Sequence, residues 1–275
     1  MKRLPLHSAF SIPWSWLLLV CFIFSAGCAA KPYGPSIEGD DYSRLEQQYR
    51  SYLEDLEFCA GAFDGETVVS WKHALDHISF SGYFKTLLPA SVQFTALTPL
   101  KQPLFALSSN GEWFQSVDIS KKLFRKGSLR SFAIRHEIPL AFLSGEWGAW
   151  LAGRPSTGAT TITSIAQDTD NRGVWFSVTP DSGAGQPQER TLVDLVEQKM
   201  IERAVLDKQG KTAALIRYRD WQIIGRCPQP MEIQMSGLSF GAEATLRFSD
   251  VQETPLSKNG FNLPIPPGFK RQFLP

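Results

Sequence analysis

The chain has 275 residues, 43% of them hydrophobic, with Gly, Pro and aromatic residues spread throughout, which is enough for one globular domain with a substantial core. A formal charge of +1 argues against a nucleic-acid protein, because phosphate binding needs a concentrated basic face, so no nucleic-acid partner is expected. The sequence has no Cys-x-x-Cys, P-loop or dinucleotide fingerprint and nominates no carboxylate pair, so neither an enzyme nor a cofactor is expected.

Met1, Lys2 and Arg3 make a positive start, Trp14 to Phe24 is an uncharged apolar run, and Ser25, Ala26 and Gly27 are small. That is the order of a secretory signal peptide. A permanent span needs roughly 20 apolar residues, and Pro5 and Pro13 before the run and Lys31 and Pro32 after it keep this one short. Small-small-Cys after such a run resembles the bacterial lipobox, which implies cleavage before Cys28 and a diacylated Cys28 thiol. Ordinary cleavage and an uncleaved anchor are the alternatives. Loss of Lys2 and Arg3 then takes the charge from +1 to −1. Cys21 leaves with the signal and Cys28 carries lipid, so Cys59 and Cys227 remain as a candidate disulfide, permitted by an oxidising compartment. Two buried free thiols are the other reading.

Residues 28–42 carry Pro, Gly and acids without apolar periodicity and read as a flexible tether. Ser43 with Glu46 matches a capping box, and Leu45, Tyr49, Tyr52, Leu53 and Leu56 recur at helical spacing. The period then changes to two. Strands are expected from Ile78 to Phe84, over Val92 to Ala96, and on either side of Asn110-Gly111, a strong hairpin signal. A helix is expected over about Pro139 to Leu151, ended by Gly153-Arg154-Pro155. Further strands follow at Val174–Val178, Thr191–Val196, Met200–Leu206, Ala213–Asp220, Met231–Met235 and Ala244–Phe248. The pattern predicts a mainly β fold, a large antiparallel sheet with one helix before it and one inserted midway; a closed barrel and an open curved sheet both fit.

Gly237-Leu238-Ser239-Phe240-Gly241 matches the nucleophile elbow, but no His follows Ser239 and the segment lies between strand-like runs, so a hairpin turn is expected. His73, Asp76 and His77 have metal-compatible spacing without a third ligand and read as solvated residues leading into a strand. Lys121, Lys122, Arg125, Lys126, Arg130 and Arg135 form a basic stretch, suited either to water or to anionic headgroups. Phe84, Phe94, Phe105, Trp113, Phe124, Trp147 and Trp150 are individually core residues and collectively candidates to line an apolar cavity.

VQFTALTPLKQPLFALSSNGEWFQSVDISKKLFRKG resembles the central strands of LolB, the outer-membrane lipoprotein receptor, and IPLAFLSGEWGAWLAGRP is similar to the family's next segment, a helix closed by Leu-x-Gly-x-Pro. GFNLPIPPGFK resembles the ending of other LolB-like lipoproteins. The resemblance implies the LolA/LolB fold over 43–275: an incomplete, curved antiparallel barrel with helices covering an apolar cavity for acyl chains. In LolB a leucine protruding from a Pro-Leu-Gly turn helps lipoproteins enter the membrane, and Leu100 in TPLKQ occupies that position. Ala29 after the lipidated cysteine is compatible with outer-membrane sorting.

The expected function is therefore that of a lipid-anchored, periplasm-facing protein that takes acyl chains, with cargo from a periplasmic carrier, and delivers lipoproteins or lipids at the outer membrane. The alternative is an envelope scaffold with the same fold that binds a protein partner.

Overall fold

The structure, a computed structural model, describes residues 33–274 apart from 74–75, 136–145, 157–159, 181–188, 208 and 238–240. One curved, unclosed sheet of fifteen strands runs in the order β1-β8-β9-β10-β11-β12-β13-β14-β2-β3-β4-β5-β6-β7-β15. Its strands are β1 (Tyr33–Ser36), β2 (Ala62–His73), β3 (Asp76–Leu87), β4 (Ser91–Leu97), β5 (Pro103–Ser109), β6 (Trp113–Asp118), β7 (Leu123–Ser128), β8 (Thr160–Asp168), β9 (Val174–Pro180), β10 (Glu189–Asp194), β11 (Lys199–Leu206), β12 (Thr212–Ile224), β13 (Cys227–Ser236), β14 (Glu243–Glu253) and β15 (Lys270–Leu274). Three α-helices are described: α1 (Asp40–Glu57), α2 (Leu129–Arg135) and α3 (Trp147–Leu151).

The stretch 28–42 is structured from Tyr33 onward, which corrects the tether reading over that part: β1 pairs with β8, and α1 begins at Asp40. The helix therefore starts three residues before the Ser43 capping box. Gly39 turns the chain at φ 68°, which an L side chain rarely adopts, and Asp40 and Asp41 sit favourably at the positive end of the helix dipole.

Strand alternation sorts side chains onto two faces. On β12, Ala214, Ile216 and Tyr218 are buried while Arg217 and Arg219 are exposed. Following the cross-strand pairs, the inner face is the one covered by α1 and α3. There Leu45, Tyr49 and Tyr52 of α1 pack on Ile162, Ile165, Phe176, Val178 and Val193. Trp150 of α3 packs with Phe84, Met200, Ile216, Ile233, Met235 and Phe248. A smaller core around Trp175, Leu192, Ala204 and Leu206 lies on the outer face. Cys59, just after α1, is disulfide-bonded to Cys227, the first residue of β13, with Cα atoms 5.7 Å apart.

Two elements depart from expectation. The basic stretch divides: Lys121 and Lys122 occupy the β6–β7 turn, Arg125 and Lys126 belong to β7, and Arg130 and Arg135 belong to α2. The tail adds β15 parallel to β7, whereas every other described pairing is antiparallel. Before it, residues 254–269 cross the outer face, where Ser108 Oγ donates to the Phe261 carbonyl and Leu263 N–H donates to Gln115 Oε1 at 2.8 Å. Of the helix expected over 139–151, residues 139–145 lie outside the described residues.

Candidate ligand-binding interior and loop tip

Register decides which aromatics share the interior. Phe84 pairs with Phe94, Phe94 with Leu107, and Ala96 with Phe105, so Phe84, Phe94 and Phe105 lie on the inner face. Phe80 joins them, its ring 5.5 Å from Phe94. Phe84 is buried in the core, while Phe80, Phe94 and Phe105 remain half-buried. Trp113 and Phe124 belong to the other face, which corrects their assignment to the lining of the interior. Phe124 pairs with Val117, Val117 with Ala106, Ala106 with Thr95 and Thr95 with Tyr83, the residue before Phe84. Trp113 is two residues from Gln115, which receives the tail on the outer face. Trp147 and Trp150 lie 5.5 Å apart on α3 and close the interior over β11–β14.

Beneath α1 the interior is a filled core. Arg203, fully buried on β11, faces Glu189 of β10 at 3.5 Å, and its guanidinium lies 5.4 Å from the Trp150 ring. Arg203 Nη2 donates to the Arg154 carbonyl, and Ser156 Oγ donates to Glu189 Oε2 at 2.9 Å. Burial works against the Arg203 charge, but Glu189 and other neighbours outweigh it and raise its pKa. Burial pushes the Tyr49 and Tyr218 hydroxyls up to about 12 and raises Tyr52 further. These phenols stay neutral and act as wall, not as acids.

At the mouth of the interior, below the end of α1, a cavity of about 350 Å³ is lined by Leu53, Leu56, Leu88, Pro155 and Arg154. A larger one, about 750 Å³, lies on the outer face between the β3–β4 and β5–β6 turns and the tail, and its lining includes Trp113, Gln115, Lys126 and Lys258.

Leu100 projects from the β4–β5 turn and is 83% exposed. The turn is rigidly bonded: Thr98 N–H donates to Gln102 O at 2.8 Å, Lys101 N–H to Thr98 O at 2.8 Å, and Gln102 N–H to Thr98 Oγ1 at 3.2 Å. Lys101 adopts φ 58° to complete it. Because β4 to β7 alternate in direction, the β6–β7 turn lies at the same strand end, and it brings exposed Ile119 with Lys121 and Lys122 beside exposed Leu104 and Leu100. Lys270 N–H donates to Lys122 O, adding a further cation.

The remaining sequence signals hold no assembled site. His73 and Asp76 face each other across the β2–β3 hairpin, and no cluster able to hold a metal occurs among the described residues. Gly237 and Gly241 lie between β13 and β14, while 238–240 lie outside the described residues. Cys28 also lies outside them. Sequence reasoning missed Arg154 and Arg203, whose burial depends on elements far apart in the chain.

No protein-family model matches the chain, and no curated protein matches it significantly. Solved structures do. A LolA superfamily protein from Nitrosomonas europaea is 14% identical, with 78% of this chain and 97% of that one covered and a TM-score of 0.51. A DUF1329 family protein from Desulfovibrio piger is 11% identical, covering 79% and 97% at a TM-score of 0.57. An outer membrane lipoprotein-sorting protein domain from Vibrio parahaemolyticus is 12% identical, covering 80% and 95% at 0.50. The chain thus has the open-barrel fold of LolA superfamily structures.

Proposed function

We propose that this is an outer-membrane lipoprotein, anchored through Cys28 and facing the periplasm, that accepts acyl chains from a periplasmic carrier and delivers lipoproteins or lipids to the bilayer. No chemistry is assigned to it; transfer is driven by burial of apolar surface at roughly 25 cal/mol per Å². The observation that carries this reading is Leu100, a large apolar side chain held almost fully in solvent by a hydrogen-bonded turn. Leu104 and Ile119 beside it, ringed by Lys101, Lys121, Lys122 and Lys270, suit an anionic bilayer surface. The half-barrel interior with half-buried Phe80, Phe94 and Phe105 supports an acyl ligand. So does the shared fold with a structure named for lipoprotein sorting.

The test is lipid analysis of the protein purified from membranes, combined with transfer of a labelled lipoprotein to vesicles. Leu100→Glu is expected to leave thermal stability unchanged and to slow transfer by about ten- to a hundredfold, since seating a leucine is worth about 1.5–3 kcal/mol. No co-purified acyl chains together with undiminished transfer by Leu100→Glu would favour the scaffold reading. Mass analysis of Cys28→Ala against wild type checks the anchor: the acyl adduct must be present only in the latter.

A further inference from the structure

Arg154 follows α3 in the sequence Gly-Arg-Pro and is only 5% exposed. Its guanidinium rests 5.2 Å from the Phe63 ring, yet Nε and Nη2 have no hydrogen-bond partner. Among the described residues no carboxylate forms an ion pair with it: Glu189 is engaged by Arg203 and Ser156, Glu57 is exposed on the cavity wall, and Glu253 acts only through space. A buried cation without a counter-ion is costly, so an arrangement that leaves one facing a cavity is suited to a ligand that supplies the anion. Leu53, Leu56, Leu88 and Pro155 form apolar wall that suits hydrocarbon, and Glu57, Cys59, Gly61 and Ser156 complete the lining.

We infer that this cavity is a head-group site in which Arg154 binds the carboxylate or phosphate of a single-chain amphiphile, whose acyl chain lies against Leu53, Leu56 and Leu88. Burial holds the Arg154 pKa down to about 10, still far above neutrality, so the charge is present to bind. Nε and Nη2 are buried and unpartnered, and a turn of the planar guanidinium toward the cavity would let both meet either anion in bidentate fashion. The inference rests on the carrier reading for its ligand class and narrows it. The acyl anchor of a lipoprotein presents no carboxylate or phosphate, so the cation selects fatty acids or phosphate-bearing lipids.

The unit Tyr33–Pro275 carries all fifteen strands and every core cluster and is the protein to test. After removal of endogenous lipid, it is expected to bind dodecanoate and dodecyl phosphate at least tenfold more tightly than dodecanol or inorganic phosphate. Arg154→Met should bring dodecanoate down to the level of dodecanol without lowering the melting temperature. Leu56→Glu, which supplies an internal carboxylate, should abolish the same preference and serves if Arg154→Met fails to fold. Equal binding of dodecanoate and dodecanol, or a preference surviving in both variants, would overturn the site. Inorganic phosphate bound as tightly as dodecyl phosphate would also overturn it, as a free-anion site. Lipoprotein transfer that persists without any dodecanoate preference removes the head-group site and leaves the carrier reading standing, whereas failure to bind acyl chains of any kind removes the carrier reading itself.

Discussion

Glu189→Gln removes the carboxylate that faces Arg203 while keeping its size. The wild-type pair is 3.5 Å apart with the two side chains 4% and 0% exposed, so water cannot take over the lost partner. Arg203 would keep its contact with the Trp150 ring, its hydrogen bond to the Arg154 carbonyl and the through-space attraction of Glu146, none of which replaces the carboxylate beside it. Breaking one side of a buried pair costs about 3–5 kcal/mol, which for a domain of this size lowers the melting temperature by roughly 6–20 °C. Replacing both partners, Glu189→Gln with Arg203→Met, should recover most of the loss, because the penalty arises from the orphaned charge and not from the missing attraction. Chemical denaturation of the four proteins in a double-mutant cycle measures the coupling. A single-variant loss below about 1 kcal/mol, or a double variant no better than either single one, would refute the view that the interior beneath α1 is a dry, charge-paired core.

Asp168 is buried, which alone would raise its pKa, but Arg172 side-chain and backbone bonds and the Trp175 indole N–H at 3.0 Å bring it down to about 2. Its stabilising contribution, about 2 kcal/mol, is present above the unfolded value near 4 and is lost as pH falls from about 4 towards 2. Urea midpoints of wild type should drop across that window and those of Asp168→Asn should not; parallel curves would count against the assignment. The Cys59–Cys227 bond spans 168 residues, and closing a loop of that length is worth at most about 5 kcal/mol. Cys59→Ser, or reduction of wild type, should therefore lower the denaturation midpoint markedly, and a loss under 1 kcal/mol would show that the bond constrains little.

Alternation along β12 and the apolar stripe of α1 were legible because each uses one regular period, and the residues facing inward, Ile216, Tyr218, Tyr49 and Tyr52, recur at it. β8 was not, because a register shift between Ile162 and Ser164 spaces the inward-facing Ile162 and Ile165 by three. The edge strands β1 and β15 have four and five residues and find their partners far away in sequence, so only the assembled sheet defines them. The faces of Trp113 and Phe124 were ambiguous for a related reason. Period two separates two faces without naming the inner one, and here the outer face of β5 and β6 is itself covered by the tail. Arg154 looked like punctuation after a helix because its Gly and Pro neighbours dominate the local signal; its lack of a counter-ion is a property of α1, β2 and β3 converging around it.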